Sequence, residues 1–236
     1  MKKIILSVVV LVLSVGTLSA QSVDEIVAKH LNAIGGVVKL HEVKSVIMET
    51  SIKVQGLEIE NLTTILVGKA MRSDSKIMGN NMVQAFDGTT PWAITPTIMG
   101  GTGEPQVMSE EMSKAVISQV DPFPLLDYLK KGTKLELLAS EKVKDKDAYH
   151  LKISPKDGVE SEIWIDVSSG LMSKLKTVQN GQEVEVIFSN YTEIEGINFA
   201  TSMETSNPMA GIITIDTKTV KLNMAIDELI FKMPIK

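Results

Sequence analysis

"SVIMETSIKVQGLEIENLTTILVGKAMRSDSKIMGNNMVQAFDG", residues 45–88, decides the fold class, because apolar and polar residues alternate along it with a period of two. Such alternation is typical of β-strands that are buried on one face. Short polar breaks at Gln55-Gly56, Gly68-Lys69 and Gly79-Asn80-Asn81 divide the stretch at places suited to tight turns. The stretch therefore predicts four consecutive antiparallel strands.

The second half of the chain continues this pattern. Seven segments between residues 134 and 223 alternate in the same way, and "PWAIT" at 91–95 adds another strand. Asn180-Gly181 is the strongest hairpin signal among their turns. The sequence predicts a mainly β fold with helices, with about eleven strands and at most twelve. No linker separates the halves, so residues 21–236 are expected to form one domain.

One amphipathic helix precedes the strands. "SVDEIVAKHLNAIGG", residues 22–36, begins with a capping box, Ser22 and Glu25, which can satisfy two free helix amides reciprocally. Apolar residues then recur at helical spacing until Gly35-Gly36, which ends the helix.

A second helical region interrupts the strands at residues 97–131. It combines a glycine-rich loop, a helix predicted from Ser109 and a short helix predicted over 121–131. The glycines, prolines and methionines of this insertion suit a lid better than rigid packing. We therefore predict that residues 97–131 form a lid over the sheet.

The first twenty residues have the layout of an export signal. Two lysines, an apolar stretch and a small-x-small end predict cleavage between Ala20 and Gln21, with a retained transmembrane anchor as the alternative. The chain has no cysteine, which excludes disulfides, a lipid-modified cysteine and zinc–thiolate sites. The mature protein is expected to be soluble and periplasmic.

The composition argues for binding rather than catalysis. The net charge of −5 comes without a basic arm, which argues against a nucleic-acid partner. His41-Glu42 opens like a zinc-protease motif, but Ser45 stands where the second histidine is needed. No nucleophile elbow or phosphate loop is present. We expect no enzyme activity, no cofactor and no metal site.

A large curved sheet with a helix across its mouth encloses an apolar cavity unless side chains fill it. The alternative interpretation is that the same residues form an ordinary filled core. The candidate cavity and lid residues are Met48, Ile52, Trp92, Ile98, Met99, Met112, Leu125, Leu126 and Leu129.

Several short segments carry a family resemblance by their order and spacing. They are "EIVAKHLNAIGG" (25–36), "MRSDSKIM" (71–78), "AFDGTTPWAITP" (85–96), "EIWIDVSSGLMSKLK" (162–176), "YTEIEGINF" (191–199) and "LIFKMP" (229–234). Over essentially the whole mature chain, the sequence resembles the bacterial outer-membrane lipoprotein-sorting family, the LolA/LolB-like periplasmic carriers. One departure is Ala200, which follows Phe199 where the carriers are expected to have proline.

The resemblance implies a strongly curved, open antiparallel half-barrel, with its concave apolar face covered by an N-terminal helix and a helical lid. It implies acylated lipoproteins or lipids as ligands, an inner-membrane release complex, an outer-membrane acceptor and a monomeric carrier. Trp92 would lie at the cavity mouth. Arg72 matches the family's arginine that can hold the lid closed, and its alternative role is that of a surface strand residue.

Three functions therefore stay open at the level of sequence. The leading one is a carrier that shields acyl chains in an apolar cavity during transport towards the outer membrane. The second is a sensor of lipid or lipoprotein that regulates envelope stress through a partner. The third, from another class, is a hydrolase of envelope lipids.

Overall fold

The computed structural model describes residues 21–156, 158–179, 181–207 and 211–234. The predicted signal peptide, residues 1–20, lies outside the described residues, as does Asn180 of the predicted hairpin. Within the described ranges, every helix is too short or too polar to cross a lipid bilayer.

A single antiparallel sheet of 14 strands forms most of the described structure. The strands are β1 Ser45–Val54, β2 Leu57–Leu66, β3 Ala70–Ile77, β4 Asn80–Phe86, β5 Pro91–Ile94, β6 Pro105–Val107, β7 Lys134–Leu137, β8 Glu141–Val143, β9 Lys146–Ser154, β10 Ser161–Asp166, β11 Met172–Gln179, β12 Gln182–Ile194, β13 Ile197–Asn207 and β14 Gly211–Leu222.

The sheet is open, with the order β6-β5-β4-β3-β2-β1-β14-β13-β12-β11-β10-β9-β7, and β8 pairs with β9. The mainly antiparallel half-barrel predicted from the sequence is confirmed. The count of about eleven strands was too low for two reasons. The segment 134–143, expected as one strand, divides into β7 and β8, and β6 forms inside the insertion where a loop was expected.

Strand register defines two faces, because residues paired across neighbouring strands point to the same side. We call the face that carries Val46, Ile65 and Met71 the inner face, since these three residues lie in the main hydrophobic core. The opposite side, which carries Thr64, Arg72 and Trp92, is the outer face.

Helix α1, Val23–Ala33, packs on the inner face with the predicted capping box in place. The Ser22 amide donates to Glu25 Oε2 at 2.9 Å, and the Glu25 amide donates to Ser22 Oγ at 3.3 Å. At the other end, the Asn198 side-chain amide donates to the Ala33 carbonyl at 2.8 Å, which attaches the helix to β13. A short helix α2, Val37–Glu42, follows.

The insertion contains a 3-10 helix over Thr97–Met99, strand β6 and helix α3, Glu110–Ser118. Helix α3 begins where the sequence predicts, with Ser109 as its N-cap. Residues 121–131 form successive turns instead of the predicted second helix. Asp121 still caps the first of these turns, because its Oδ1 accepts from the Phe123 amide at 3.1 Å.

The C-terminal segment crosses the outer face. A 3-10 helix over Glu228–Phe231 lies against β3. Two ion pairs attach this segment to the sheet. Lys69 Nζ lies 2.6 Å from Glu228 Oε1, and Lys232 Nζ lies 3.0 Å from Asp87 Oδ2. The sheet is therefore covered on both sides near β3, β4 and β5.

His30 makes the stability of this fold dependent on pH. Its imidazole is buried in α1 and donates from Nδ1 to the Gly170 carbonyl at 2.9 Å. Burial lowers the pKa of His30, and the hydrogen bond to Gly170 offsets this only in part. The native state therefore resists protonation, while the unfolded chain takes up a proton near its ordinary pKa of about 6.5.

We expect the free energy of unfolding to decrease as the pH falls below about 6.5, with a His30 contribution of up to about 1.4 kcal/mol per pH unit. Urea denaturation at pH 7.5 and 5.5 should show a smaller pH effect in His30→Gln than in the wild type. His41→Gln is the control, because His41 is exposed. Equal pH effects in the wild type and His30→Gln would contradict this explanation.

Candidate functional site

The inner face has a closed end and an open end. At the closed end, the sheet is buried under α1, α3 and the turns after α3, where Ile26, Val116 and Leu125 complete the main core. The open end lies towards the β1–β2 and β11–β12 hairpins. Its apolar residues are partly exposed and belong to none of the core clusters: Ile52, Val54, Ile59, Ile77, Met82, Val184, Val186, Phe188, Met203, Ile213 and Ile215.

Five of these residues form a continuous apolar row across five strands. Register pairs join them in the order Ile59, Ile52, Ile215, Met203 and Phe188. At a spacing of about 4.8 Å between strands, the row extends roughly 19 Å. A neighbouring row, nearer the hairpins, begins Leu57–Val54–Ile213 and widens this surface. The open end therefore presents a partly exposed apolar band.

Charged side chains are absent from the inner register positions of the described parts of β1–β4 and β11–β14. The charged residues of these strands instead occupy the outer face, as Lys53, Asp216 and Glu60 illustrate. They pair there, with Lys53 Nζ 3.1 Å from Asp216 Oδ2 and Lys218 Nζ 2.5 Å from Glu60 Oε1. The alternation of each strand thus separates a neutral concave surface from a charged outer one.

A groove of about 200 Å³ lies on the inner face at the boundary between the two ends. Ile52 and Ile59 form one part of its lining, and Asn61, Ser73 and Ser75 supply polar groups. The remaining lining residues are Ile77, Met82 and Gln84. The groove joins the apolar row to a set of uncharged hydrogen-bonding side chains.

A larger cavity, of about 530 Å³, opens on the outer face beside Arg72. Charges of both signs line it, including Glu49, Glu60, Asp74 and Lys76. We regard the smaller inner groove as the better candidate site for an apolar ligand, because burying hydrocarbon against these charges would remove their water without replacing it.

The structure distributes the sequence-predicted site residues over three environments. Met48, Leu125 and Leu126 pack in or against the main core, and Ile52 lies in the apolar row. The exposed residues are Ile98, Met99 and Met112, at 55%, 51% and 42%, and Leu129, at 71%. These residues do not line one common cavity, so their role in ligand binding stays a prediction.

Trp92 and Arg72 lie together on the outer face, whereas the cavity was predicted on the inner face, although β5 with Trp92 pairs with β6 of the insertion. Trp92 is fully buried, and its indole N–H donates to the Phe231 carbonyl at 2.8 Å. Arg72 donates to both Asp74 oxygens at 2.8 and 2.7 Å and to the Ile230 carbonyl at 2.6 Å. Its guanidinium lies 5.8 Å from the Trp92 ring centroid. The contacts of both residues hold the C-terminal segment.

No sequence pattern marked Ile215, Met203 or Phe188 as candidate site residues. Their alternation with polar neighbours was visible, and it correctly indicated strands. Their position beside Ile52 depends on the pairing of β1 with β14, which no local signal in the sequence predicts.

No group of three or more histidine, cysteine, aspartate or glutamate side chains within the described ranges could hold a metal ion. One histidine, His150, packs among other side chains on the outer face. There His150 stacks on Trp164 with ring centroids 4.0 Å apart, and its Nε2 lies 2.7 Å from Glu162 Oε2. Trp164 is buried in a small core cluster with Val143, which β8 contributes. This cluster is part of the packing between β8 and the sheet.

Neither a protein-family model nor a curated protein matches the sequence. Solved structures do match the fold. A DUF1329 family protein from Desulfovibrio piger has a TM-score of 0.60 at 16% identity, covering 89% of this chain and 97% of that chain. The structure thus has clear relatives in shape at low sequence identity.

Two further solved structures are similar to this chain in fold. A putative outer membrane lipoprotein-sorting protein domain from Vibrio parahaemolyticus has a TM-score of 0.57 at 14% identity, covering 88% of this chain and 94% of that chain. A LolA superfamily protein from Nitrosomonas europaea has a TM-score of 0.57 at 13% identity, covering 83% and 95%. The chain has a LolA-like fold. At 13–16% identity, the likeness establishes the fold alone.

The Trp92 contacts yield a stability prediction. Trp92→Ala should lower the free energy of unfolding by about 3–5 kcal/mol, because it empties a buried site. Trp92→Phe keeps an aromatic ring but loses the hydrogen bond to Phe231, so part of the destabilisation should remain. Urea denaturation measures both variants. Val107→Ala on exposed β6 is the control and should change stability by less than about 0.5 kcal/mol. If Trp92→Ala were as stable as the wild type, Trp92 would not hold the C-terminal segment in place.

Proposed function

We propose that this protein is a lipid-binding carrier that shields acyl chains on its inner face. The observation that supports it most strongly is the partly exposed apolar row Ile59–Ile52–Ile215–Met203–Phe188, which lies on strands whose described inner positions carry no charge. The LolA-like fold supports it, as does the similarity in fold to a putative outer membrane lipoprotein-sorting protein domain.

Transfer of an acyl chain through water needs such a surface. Each methylene exposed to water costs about 0.8 kcal/mol, so a long chain does not leave a membrane readily without cover. An open concave band can accept a chain and release it without breaking covalent bonds. We therefore favour binding and transport over hydrolysis.

The setting of this function is also part of the proposal. The signal-like residues 1–20 support export to the periplasm, and the absence of cysteine excludes attachment to a membrane through a lipid-modified cysteine. We further propose transport towards the outer membrane. Acylated lipoproteins or lipids are the proposed cargo. An inner-membrane release complex and an outer-membrane acceptor are the proposed partners of a monomeric carrier.

The apolar row can be tested with two variants of one strand. Ile215→Glu places a carboxylate in the row, while Ile212→Glu places the same group on the outer face, where Ile212 is 65% exposed. Fluorescence titration of the purified protein with a palmitoylated peptide should show at least about tenfold weaker binding in Ile215→Glu, since a charge would replace a buried apolar contact.

Ile212→Glu should bind the palmitoylated peptide like the wild type. Mass spectrometry of lipids extracted from the purified proteins gives an independent measure, with less copurified acyl ligand in Ile215→Glu. Equal binding by both variants, or no acyl ligand in any of them, would refute the proposal. Turnover of the bound ligand would favour the hydrolase.

The insertion at 97–131 is the proposed lid. Leu125 and Leu126 contribute to the main core at the closed end, while Leu129 and Met112 are exposed. A chain that extends from the row towards the closed end must displace part of this cover. We expect amide hydrogen exchange within 97–131 to change when the palmitoylated peptide binds. The same segment in Ile215→Glu should change less, and identical exchange with and without peptide in the wild type would exclude a lid.

A further inference from the structure

Two serine hydroxyls on the inner face have protons without an acceptor among the described residues. The Asn61 amide donates from Nδ2 to Ser73 Oγ at 2.6 Å and to Ser75 Oγ at 2.8 Å. Asn61 Oδ1 is engaged as well, because it accepts from the Thr63 hydroxyl at 2.9 Å. A serine hydroxyl that accepts from an amide retains its own proton for donation. Ser73 and Ser75 therefore each have a hydroxyl proton available for donation to a ligand.

These donors line the groove next to the apolar row. Ser73 and Ser75 point to the inner face, as do Ile52 and Ile59, and all four residues line the same 200 Å³ groove. A chain that lies along the row with its polar end at Ile59 would bring that end towards the two hydroxyls. A carbonyl oxygen with its two lone pairs is the natural acceptor for such a pair of donors.

The neutral inner face determines which polar ends are tolerated. An ionised carboxylate or phosphate would lose its water here and find no cation on the inner face of β1–β4 or β11–β14 in the described structure. An ester or amide carbonyl carries no net charge and needs only the hydroxyl donors. Thr205 adds a further hydroxyl on this face, buried and without a hydrogen-bond partner in the described structure.

Building on the proposed function, we infer that the groove selects acyl chains joined through an uncharged carbonyl, as in an acylglycerol ester or an N-acyl amide. Ser73 and Ser75 recognise the carbonyl oxygen, the apolar row holds the chain, and the lack of a cation excludes chains that end in an ionised group. The ligand class is thus narrower than apolar chains in general.

Three probes of equal chain length test this selectivity at pH 8: 1-palmitoylglycerol, N-palmitoylglycinamide and palmitate, each titrated by calorimetry below its micelle concentration. We expect at least one neutral probe to bind the wild type about tenfold or more tightly than palmitate. The glyceride and the amide distinguish an ester-linked lipid from an acylated peptide as the source of the chain.

Paired variants locate the selectivity in the groove. Gln84→Lys adds a cation to the inner face and should raise palmitate affinity until the preference for neutral probes is lost. Asn81→Lys adds the same cation to an exposed outer position of the same strand and should keep the preference. Ser75→Ala removes one donor and should weaken the preferred neutral probe about two- to tenfold without weakening palmitate. Ser189→Ala, on the outer face, is its control.

The outcomes separate this inference from the proposed function. If the wild type binds palmitate as tightly as both neutral probes, the carrier function stands and the selectivity is refuted. Unchanged probe preferences in both Gln84→Lys and Ser75→Ala also refute it. If the wild type binds none of the three chains, the proposed function fails together with the inference.

Discussion

The pairing of β1 with β14 is the contact on which the rest of the structure depends. In the described sheet order, it alone connects the strands that precede the insertion to those that follow it. It aligns Val46 with Leu222 at the closed end and Ile52 with Ile215 at the open end. A register shift of one residue here would turn the inner residues of one half towards solvent. The core and the apolar row are therefore fixed by the same long-range ladder.

This ladder also contains the irregularity that aligns the two halves. The register between β1 and β14 shifts between Glu49 and Thr50, with Lys218 as the additional residue on β14. Lys218 pairs with Glu60 on the outer face. Because the bulge accommodates this lysine on the charged side, Val220 and Ile215 both stay on the inner face despite their odd separation.

The two faces of the sheet differ in their charge. Ion pairs such as Lys174–Glu185 and Lys176–Glu183 lie at partly exposed positions of the outer face, where each contributes little to stability. Together they place the charged side chains of these strands on the outer face. The inner register positions of β1–β4 and β11–β14 carry no charge in the described structure, so a chain bound there, as proposed, would meet no desolvated charge on these strands.

The LolA-like architecture leaves the region of β3, β4 and β5 covered from both sides. Helix α3 lies over these strands on one side, and the C-terminal segment lies against Arg72 and Trp92 on the other. Within the described residues, the contacts of the C-terminal 3-10 helix are mainly with β3. A ligand that entered between α3 and these strands would have to displace packed core residues, whereas the residues of the apolar row are already partly exposed.

The sequence by itself determined the strands, the capped first helix, the start of α3 and the antiparallel class of the fold. Alternation, capping residues and turn signals are local, so residues such as Ser22, Ser109 and Gln55-Gly56 can be interpreted without knowledge of distant contacts. The local alternation of β1 also placed Ile52 on the apolar face, which made it a candidate site residue.

Only the tertiary structure decided which faces meet. Trp92 was predicted at the cavity mouth and Arg72 at the lid, but strand parity and the C-terminal segment place both on the outer face. Met203 and Phe188 could not be connected with Ile52 from sequence, since their proximity depends on pairings between residues far apart in the chain. Local patterns specify which residues alternate, whereas long-range register specifies what the alternating residues face.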